Sequence, residues 1–153
     1  MKQNTEIKKR LLQTCKNIVE AKYDTILKII NSNQKSLEAE TKSSAGDKHE
    51  TGRAMMQLEM EKASKQFVSI SSMQEVLQKI DINNKNEIGK LGSLIYTNLG
   101  SYFLAISIGQ TIVNGMVYYI VSPFSPIGKI LLGKKKGDNF LFNGKIITIK
   151  KIF

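Results

Sequence analysis

The 153-residue chain has few of the residues that cross-link small secreted proteins or support common enzyme chemistry. It contains one cysteine, Cys15, which excludes an internal disulfide framework. Because Cys15 lies among apolar residues at helical spacing, we expect a small buried side chain rather than a reactive thiol. His49 is the only histidine, and there is no nucleophile motif, phosphate-binding loop or Cys/His metal spacing. The sequence therefore does not predict an enzyme.

A long uninterrupted apolar segment is also lacking. The most apolar stretch, residues 102–121, is interrupted by Gly109, Gln110, Asn114 and Gly115, so we do not expect it to span a bilayer. The charged N-terminus is not followed by the apolar region of a secretory signal. With the lone cysteine, these features predict a cytoplasmic protein that has no membrane partner.

Proline and glycine are scarce in the first half of the chain. No proline occurs between residues 5 and 80, and Gly46 and Gly52 are the only two of the eleven glycines that precede residue 88. Both prolines and many β-branched and aromatic residues lie in the second half. This contrast predicts an α+β fold with a helical domain at residues 1–82 and a strand-rich domain at residues 83–153.

Apolar residues of the first half repeat every seven positions, as in a coiled coil. The repeats are Leu12, Val19 and Ile26, then Tyr23, Ile30 and Leu37, then Met56, Ala63, Ile70 and Leu77. Small and polar residues at 41–47 predict a turn between two arms of similar length. We therefore expect a monomer with a long antiparallel helical hairpin, its tip near residues 42–50 and each arm about 45–55 Å long.

The second half predicts a small antiparallel sheet of about five strands with one short helix. A hairpin-length connection, residues 98–100, separates apolar runs, and Asn114-Gly115 and Asn143-Gly144 are two type I′ turn signals. For the helix, Ser125 suits the N-cap, Pro126 the first helical position and Gly133 the end.

Positive charge is concentrated in the second half. The chain carries a formal net charge of +10, of which residues 83–153 contribute +7, with Glu87 and Asp138 as their only acids. Such a charge favours an anionic partner such as nucleic acid, although lysine-rich surfaces are also common in proteins without one.

Two acids stand at the predicted hairpin tip, Asp47 and Glu50, three residues apart at the start of the second arm. On a helix their side chains share a face and can together hold a divalent cation such as Mg²⁺. The same pattern is also a capping box, in which both acids bond to the helix backbone. The residues alone leave both interpretations open, and two carboxylates need further ligands before a metal there could act.

The order of these parts resembles the Gre family of transcript-cleavage factors. The resemblance rests on the Gly-Asp-x-x-Glu tip at residues 46–50 and on Ser-Pro-Ile-Gly-x-x-Leu-Leu-Gly-Lys-x-x-Gly-Asp at residues 125–138. It implies a transcription elongation factor whose C-terminal domain is FKBP-like and binds bacterial RNA polymerase. The implied docking segment is Ser125, Pro126, Ile127 and Gly128.

The resemblance further implies that the hairpin enters the secondary channel of the polymerase. There Asp47 and Glu50 would hold Mg²⁺ jointly with the polymerase and stimulate cleavage of the nascent RNA 3′ end in backtracked complexes. The factor would be an accessory protein, not an enzyme, with no metal stably bound in the free protein.

Two departures from the family pattern keep other functions open. The family tip continues Asn-Ala-Glu-Tyr, where this chain has residues 51–54, Thr-Gly-Arg-Ala, and Phe124 replaces an acid before Ser-Pro. A channel-binding regulator without cleavage activity fits these changes equally well. More distant alternatives are an FKBP-like prolyl isomerase or chaperone adaptor, and a coiled-coil dimer whose basic domain binds nucleic acid.

Overall fold

The computed structural model describes the backbone of residues 2–41 and 46–153, and the side chains of residues 2–39 and 51–153. Two long helices come first, α1 (Lys2–Thr41) and α2 (Gly46–Gln78). A helix of this length needs a partner surface, because most helical stability in water comes from packing an apolar face. Residues 42–45, the middle of the turn predicted at residues 41–47, lie outside the described residues.

The remaining elements form a sheet with one short helix. They are β1 (Leu94–Thr97), β2 (Ser101–Leu104), β3 (Gly109–Val113), β4 (Met116–Val121), α3 (Pro126–Leu131), β5 (Asn139–Phe142) and β6 (Lys145–Ile152). The chain therefore has a long helical hairpin followed by a small, mostly antiparallel sheet domain with one short helix. This architecture confirms the predicted fold class.

By compactness the chain divides into two units. One is Asn17–Gln74, and the other joins the residues up to Lys16 with Glu75–Phe153. The predicted domain boundary at residues 82 and 83 stays a prediction of the sequence.

The seven-residue repeat forms the seam of the helical unit. Val19, Ile26, Ala63 and Ile70 are all buried, with 2–8% of each residue exposed. The rings of Tyr23 and Phe67, which flank that seam, have centroids 5.6 Å apart. Since residues between the repeat positions are mostly exposed, each helix buries a narrow stripe, as the periodicity predicts.

The strand order in the second unit is β3-β4-β2-β1-β6-β5. Asn114 and Gly115 have φ of 52° and 75°, and Asn143 and Gly144 have φ of 50° and 76°. Positive φ at both central residues is the type I′ geometry, so both predicted turns are confirmed.

The sheet corrects the sequence prediction in two respects. It has six strands rather than about five, and β2 pairs with β4 in parallel instead of antiparallel. The parallel pairing arises because β3 occupies the outer edge, so that β4 returns to the sheet beside β2. Hairpin signals in a sequence report neighbouring strands and do not specify such a non-local pairing.

One face of the sheet packs against α3. The buried cluster consists of Ile95, Leu104, Leu131 and Ile149, and Ile127 of α3 packs against it. Burying side chains of this size stabilises the fold by about 1.5–3 kcal/mol each. The core therefore holds α3 firmly on the sheet.

The beginning of α1 belongs to the same unit. Ile7, Leu11, Leu12 and Cys15 are buried there. Tyr96 of β1 donates a hydrogen bond from its hydroxyl to the Asn4 Oδ1, at 3.1 Å. These contacts attach the first turns of α1 to the sheet.

We expect Cys15 to resist alkylation in the native protein. The residue is fully buried, and this burial raises the pKa of the Cys15 thiol to about 12. At pH 8 iodoacetamide should therefore react at least about 100-fold more slowly with native than with urea-unfolded protein, because only the thiolate reacts. In the unfolded chain the Cys15 thiol has an ordinary pKa of about 8.5. Above that pH ionisation stabilises the unfolded state, so the free energy of unfolding falls as the pH rises. Equal alkylation rates for native and unfolded protein would contradict this packing.

Candidate functional site

The predicted docking segment begins in a hydrogen-bonded turn before α3. The Ser125 Oγ accepts a hydrogen bond from the Gly128 N–H at 3.1 Å and donates one to the Ser122 carbonyl oxygen at 2.6 Å. The Ser122 Oγ in turn accepts from the Phe124 N–H at 3.1 Å. Ser125 is therefore the N-cap of α3 with Pro126 in the first turn, as the sequence predicts.

Gly128 is buried where α3 passes closest to this turn. A Cβ built on Gly128 would overlap the Ser122 carbonyl oxygen and come within 2.9 Å of the Ser125 Oγ. Only a glycine leaves room for the close approach of these two backbone segments. The structure thus gives Gly128 a steric role that spacing along the sequence does not reveal.

The four predicted docking residues are adjacent but differ in accessibility. Pro126 is exposed, Ser125 is partly buried, Ile127 packs against the core cluster and Gly128 is buried. Their role in binding a partner stays a prediction. The accessible part of this segment is the turn itself and the first residue of α3.

Phe124 is the most exposed large hydrophobic residue in the described part of the chain, at 79%. It precedes Ser125 directly and is part of the same turn. In the sequence, Phe124 stands out only as the residue that replaces an acid before Ser-Pro. An aromatic residue next to a Ser-Pro helix start was the available signal for a contact site, because exposed aromatic rings are frequent binding anchors.

The second half of the 125–138 motif forms the exit from α3. Gly133 and Gly137 have φ of 79° and 91°, values that side-chain-bearing residues rarely adopt. The Asp138 Oδ2 accepts a hydrogen bond from the Lys135 N–H at 2.8 Å, which closes the turn between them. The Lys134 Nζ lies 6.0 Å from the Phe140 ring centroid. The glycines and the aspartate of the motif therefore serve the turn that leads into β5.

The predicted metal-binding residues, Asp47 and Glu50, lie outside the residues whose side chains the structure describes. Their backbone belongs to α2, which begins at Gly46. Neither the capping role nor the metal role of the two acids is tested, and both stay predictions. Among the described side chains, no group of three or more His, Cys, Asp or Glu residues could hold a metal ion.

Two further residues escaped the sequence analysis. Lys8 is 2% exposed and Asn86 is 5% exposed, although both residue types are ordinarily found at the surface. For Lys8 a signal existed, because it precedes Leu11, Leu12 and Cys15 by three, four and seven residues and so lies on the apolar stripe of α1. No local signal distinguishes Asn86 within the asparagine-rich segment 83–86.

Searches of family models and of curated proteins found no match to this chain. Among solved structures, the chain is similar to one titled "Structure of the transcription factor Gfh1". That similarity has a TM-score of 0.33 and 19% sequence identity, and covers 85% of this chain and 92% of the other. Across its described residues, the protein has no helix that is both long and apolar enough to cross a membrane.

Proposed function

We propose that this protein is a transcription elongation factor that binds RNA polymerase through its C-terminal domain. The supporting observation is the 125–138 segment, whose order matches the Gre motif and whose first residues form an accessible, rigidly capped turn beside the exposed Phe124. Rigid exposed turns with an aromatic side chain suit protein recognition, because little conformational entropy is lost on binding. Pro126 and Phe124 are the contacts that we assign to the polymerase.

The hairpin in this proposal delivers Asp47 and Glu50 to the active site of the polymerase through its secondary channel. The sequence places these two acids three residues apart, a spacing that lets two acids share one face of a helix. Carboxylates suit Mg²⁺, which is commonly held by one or two of them with water and phosphate oxygens. Bound there, Mg²⁺ would activate water and stabilise the leaving oxygen. The factor needs no complete metal site of its own, since the polymerase supplies the other ligands.

The experiment that tests this function follows the RNA in stalled, backtracked transcription complexes. When the protein is added with Mg²⁺, short fragments should leave the RNA 3′ end at a rate well above that of the polymerase alone. A parallel reaction with a chelator controls for dependence on the metal. If the full chain binds the polymerase but releases no fragments above background, the cleavage function is wrong.

The second candidate is a regulator that occupies the channel without stimulating cleavage. Gly52 and Arg53 favour it, because they follow Glu50 where the cleavage-factor pattern has Ala and Glu. A glycine within a helix costs up to about 1 kcal/mol relative to alanine. The positive charge of Arg53 would also repel Mg²⁺. A changed open-complex lifetime or changed pausing, without RNA fragments, would select this candidate.

A further inference from the structure

Asn86, in the segment between α2 and β1, has a buried polar side chain, and only one of its two polar atoms has a hydrogen-bond partner. It is 5% exposed, and its Nδ2 donates to the Phe153 carbonyl oxygen at 3.2 Å. Its Oδ1 is buried and accepts no hydrogen bond within the described part of the chain. A buried acceptor without a hydrogen-bond partner destabilises the fold. Such atoms are uncommon in folded proteins and call for a specific explanation.

Two clefts of one compact unit meet at Asn86. The first, of about 780 Å³, lies between the beginning of α1 and the segment 82–87. The second, of about 550 Å³, lies between Asn86, the loop that follows α3 and the end of β6. Asn86, Glu87, Ile152 and Phe153 line both clefts. The two clefts are therefore neighbours that share a wall.

Both clefts are lined by lysines in excess over acids. Three lysines line the first cleft and three line the second: Lys2, Lys8 and Lys85, then Lys135, Lys136 and Lys151. The acids are Glu6, which pairs with Arg10 at 3.7 Å, and Glu87. Within the described residues, none of the six lysines forms an ion pair. The acids therefore offset only part of the lysine charge in each cleft.

Lys8 places one of these positive charges at an almost fully buried position. Its Nζ donates one hydrogen bond, to the Asn84 carbonyl oxygen at 3.4 Å, while the side chain is almost fully buried. Burial and the nearby Lys90 lower the pKa of Lys8, and Asp81 opposes them. A buried ammonium group without a carboxylate partner destabilises the fold unless an anion approaches it.

We infer that the two clefts bind the phosphate backbone of a nucleic-acid strand. A single small anion would occupy one cleft, whereas two adjacent clefts with three lysines each match a ligand whose negative charge repeats. Lysine ammonium groups bind phosphates as point charges without a demand for bidentate geometry. The Asn86 Oδ1 is covered in this structure, so the wall that the clefts share must shift before this atom can accept from a ribose hydroxyl or a base N–H. A nucleotide has these donors and an acidic side chain lacks them.

The test is fluorescence anisotropy of the full chain with a labelled 12-nucleotide RNA and with DNA of the same sequence. The variant combines Lys135→Gln, Lys136→Gln and Lys151→Gln, which are all exposed and remove three charges from the second cleft. The control combines Lys129→Gln, Lys145→Gln and Lys150→Gln, equally exposed residues of the same unit that line neither cleft. Both variants therefore have the same net charge.

We expect the cleft variant to bind at least tenfold more weakly than wild type and the control to lose less than threefold. The slope of log affinity against log salt should also fall by about 2 in the cleft variant, at roughly 0.7 per phosphate contact on a single strand. Comparison of the affinities for RNA and for DNA shows which of the two nucleic acids the clefts bind more tightly. Equal losses of affinity in both variants would overturn the inference. So would displacement of the labelled strand by polyglutamate as readily as by unlabelled RNA. Because free protein is used, the result does not depend on binding to RNA polymerase.

Discussion

Replacing both Asp47 and Glu50 by alanine should abolish stimulated RNA cleavage while binding to RNA polymerase persists. In the proposed function the two carboxylates would help hold the Mg²⁺ that activates the attacking water, so their loss would remove that ion from the site of cleavage. We expect the rate of fragment release to fall at least about 100-fold, equivalent to about 2.7 kcal/mol of transition-state stabilisation. The effect should be large because no other acid of the tip segment, residues 42–50, is available as a substitute.

A matched control separates metal binding from helix capping. Asp47→Asn with Glu50→Gln retains hydrogen-bonding oxygens that can cap the helix backbone but removes both negative charges. If the acids hold Mg²⁺, this variant should fail as completely as the alanine variant. Cleavage at the wild-type rate by either variant would contradict the metal role and leave the capping role.

Gly128→Ala should destabilise the sheet domain strongly. The added methyl group would overlap the Ser122 carbonyl oxygen, so the turn or the first turn of α3 must move. Overpacking of this kind costs about 1–3 kcal/mol and occasionally more. We expect a loss near the upper end, about 3 kcal/mol, because the obstructing atom is backbone. For a chain of this size that corresponds to a fall in Tm of roughly 6–12 °C.

The same substitution at Gly133 is the matched control for steric overlap. A Cβ at Gly133 has no heavy atom within 4 Å, but its φ of 79° is unfavourable for alanine. Gly133→Ala should therefore cost only about 1–2 kcal/mol. In the absence of overlap, alanine at position 128 would be stabilising by about 0.4–1 kcal/mol, because the unfolded chain loses freedom. A Gly128→Ala protein as stable as wild type, measured by thermal unfolding, would show that α3 does not lie so close to the turn.

Local chemistry made much of this fold predictable from the sequence. The seven-residue repeat specified which side chains are buried between the helices, because one helix face must stay apolar over many turns. Asn-Gly pairs specified two hairpins through their positive φ values, and Ser125 with Pro126 specified the start of α3. Each of these signals depends on residues that are close together in the sequence.

Non-local features could not be predicted in the same way. The parallel pairing of β2 with β4, the burial of Lys8 and the half-satisfied Asn86 depend on segments far apart in the chain. Of the candidate site, the Ser125 cap and the start of α3 at Pro126 were predictable. The steric role of Gly128 was not, because it arises from contact with the Ser122 carbonyl group rather than from helix propensity.

The proposed binding of RNA polymerase through the turn before α3 is tested by a direct binding measurement. Labelled full-length protein is titrated with bacterial RNA polymerase, together with Phe124→Ala and with Leu141→Ala, a control residue that is 67% exposed on β5. We expect wild type and Leu141→Ala to bind equally and Phe124→Ala to bind about tenfold more weakly, as expected for an aromatic anchor. Absence of wild-type binding, or equal binding by all three proteins, would contradict the claim.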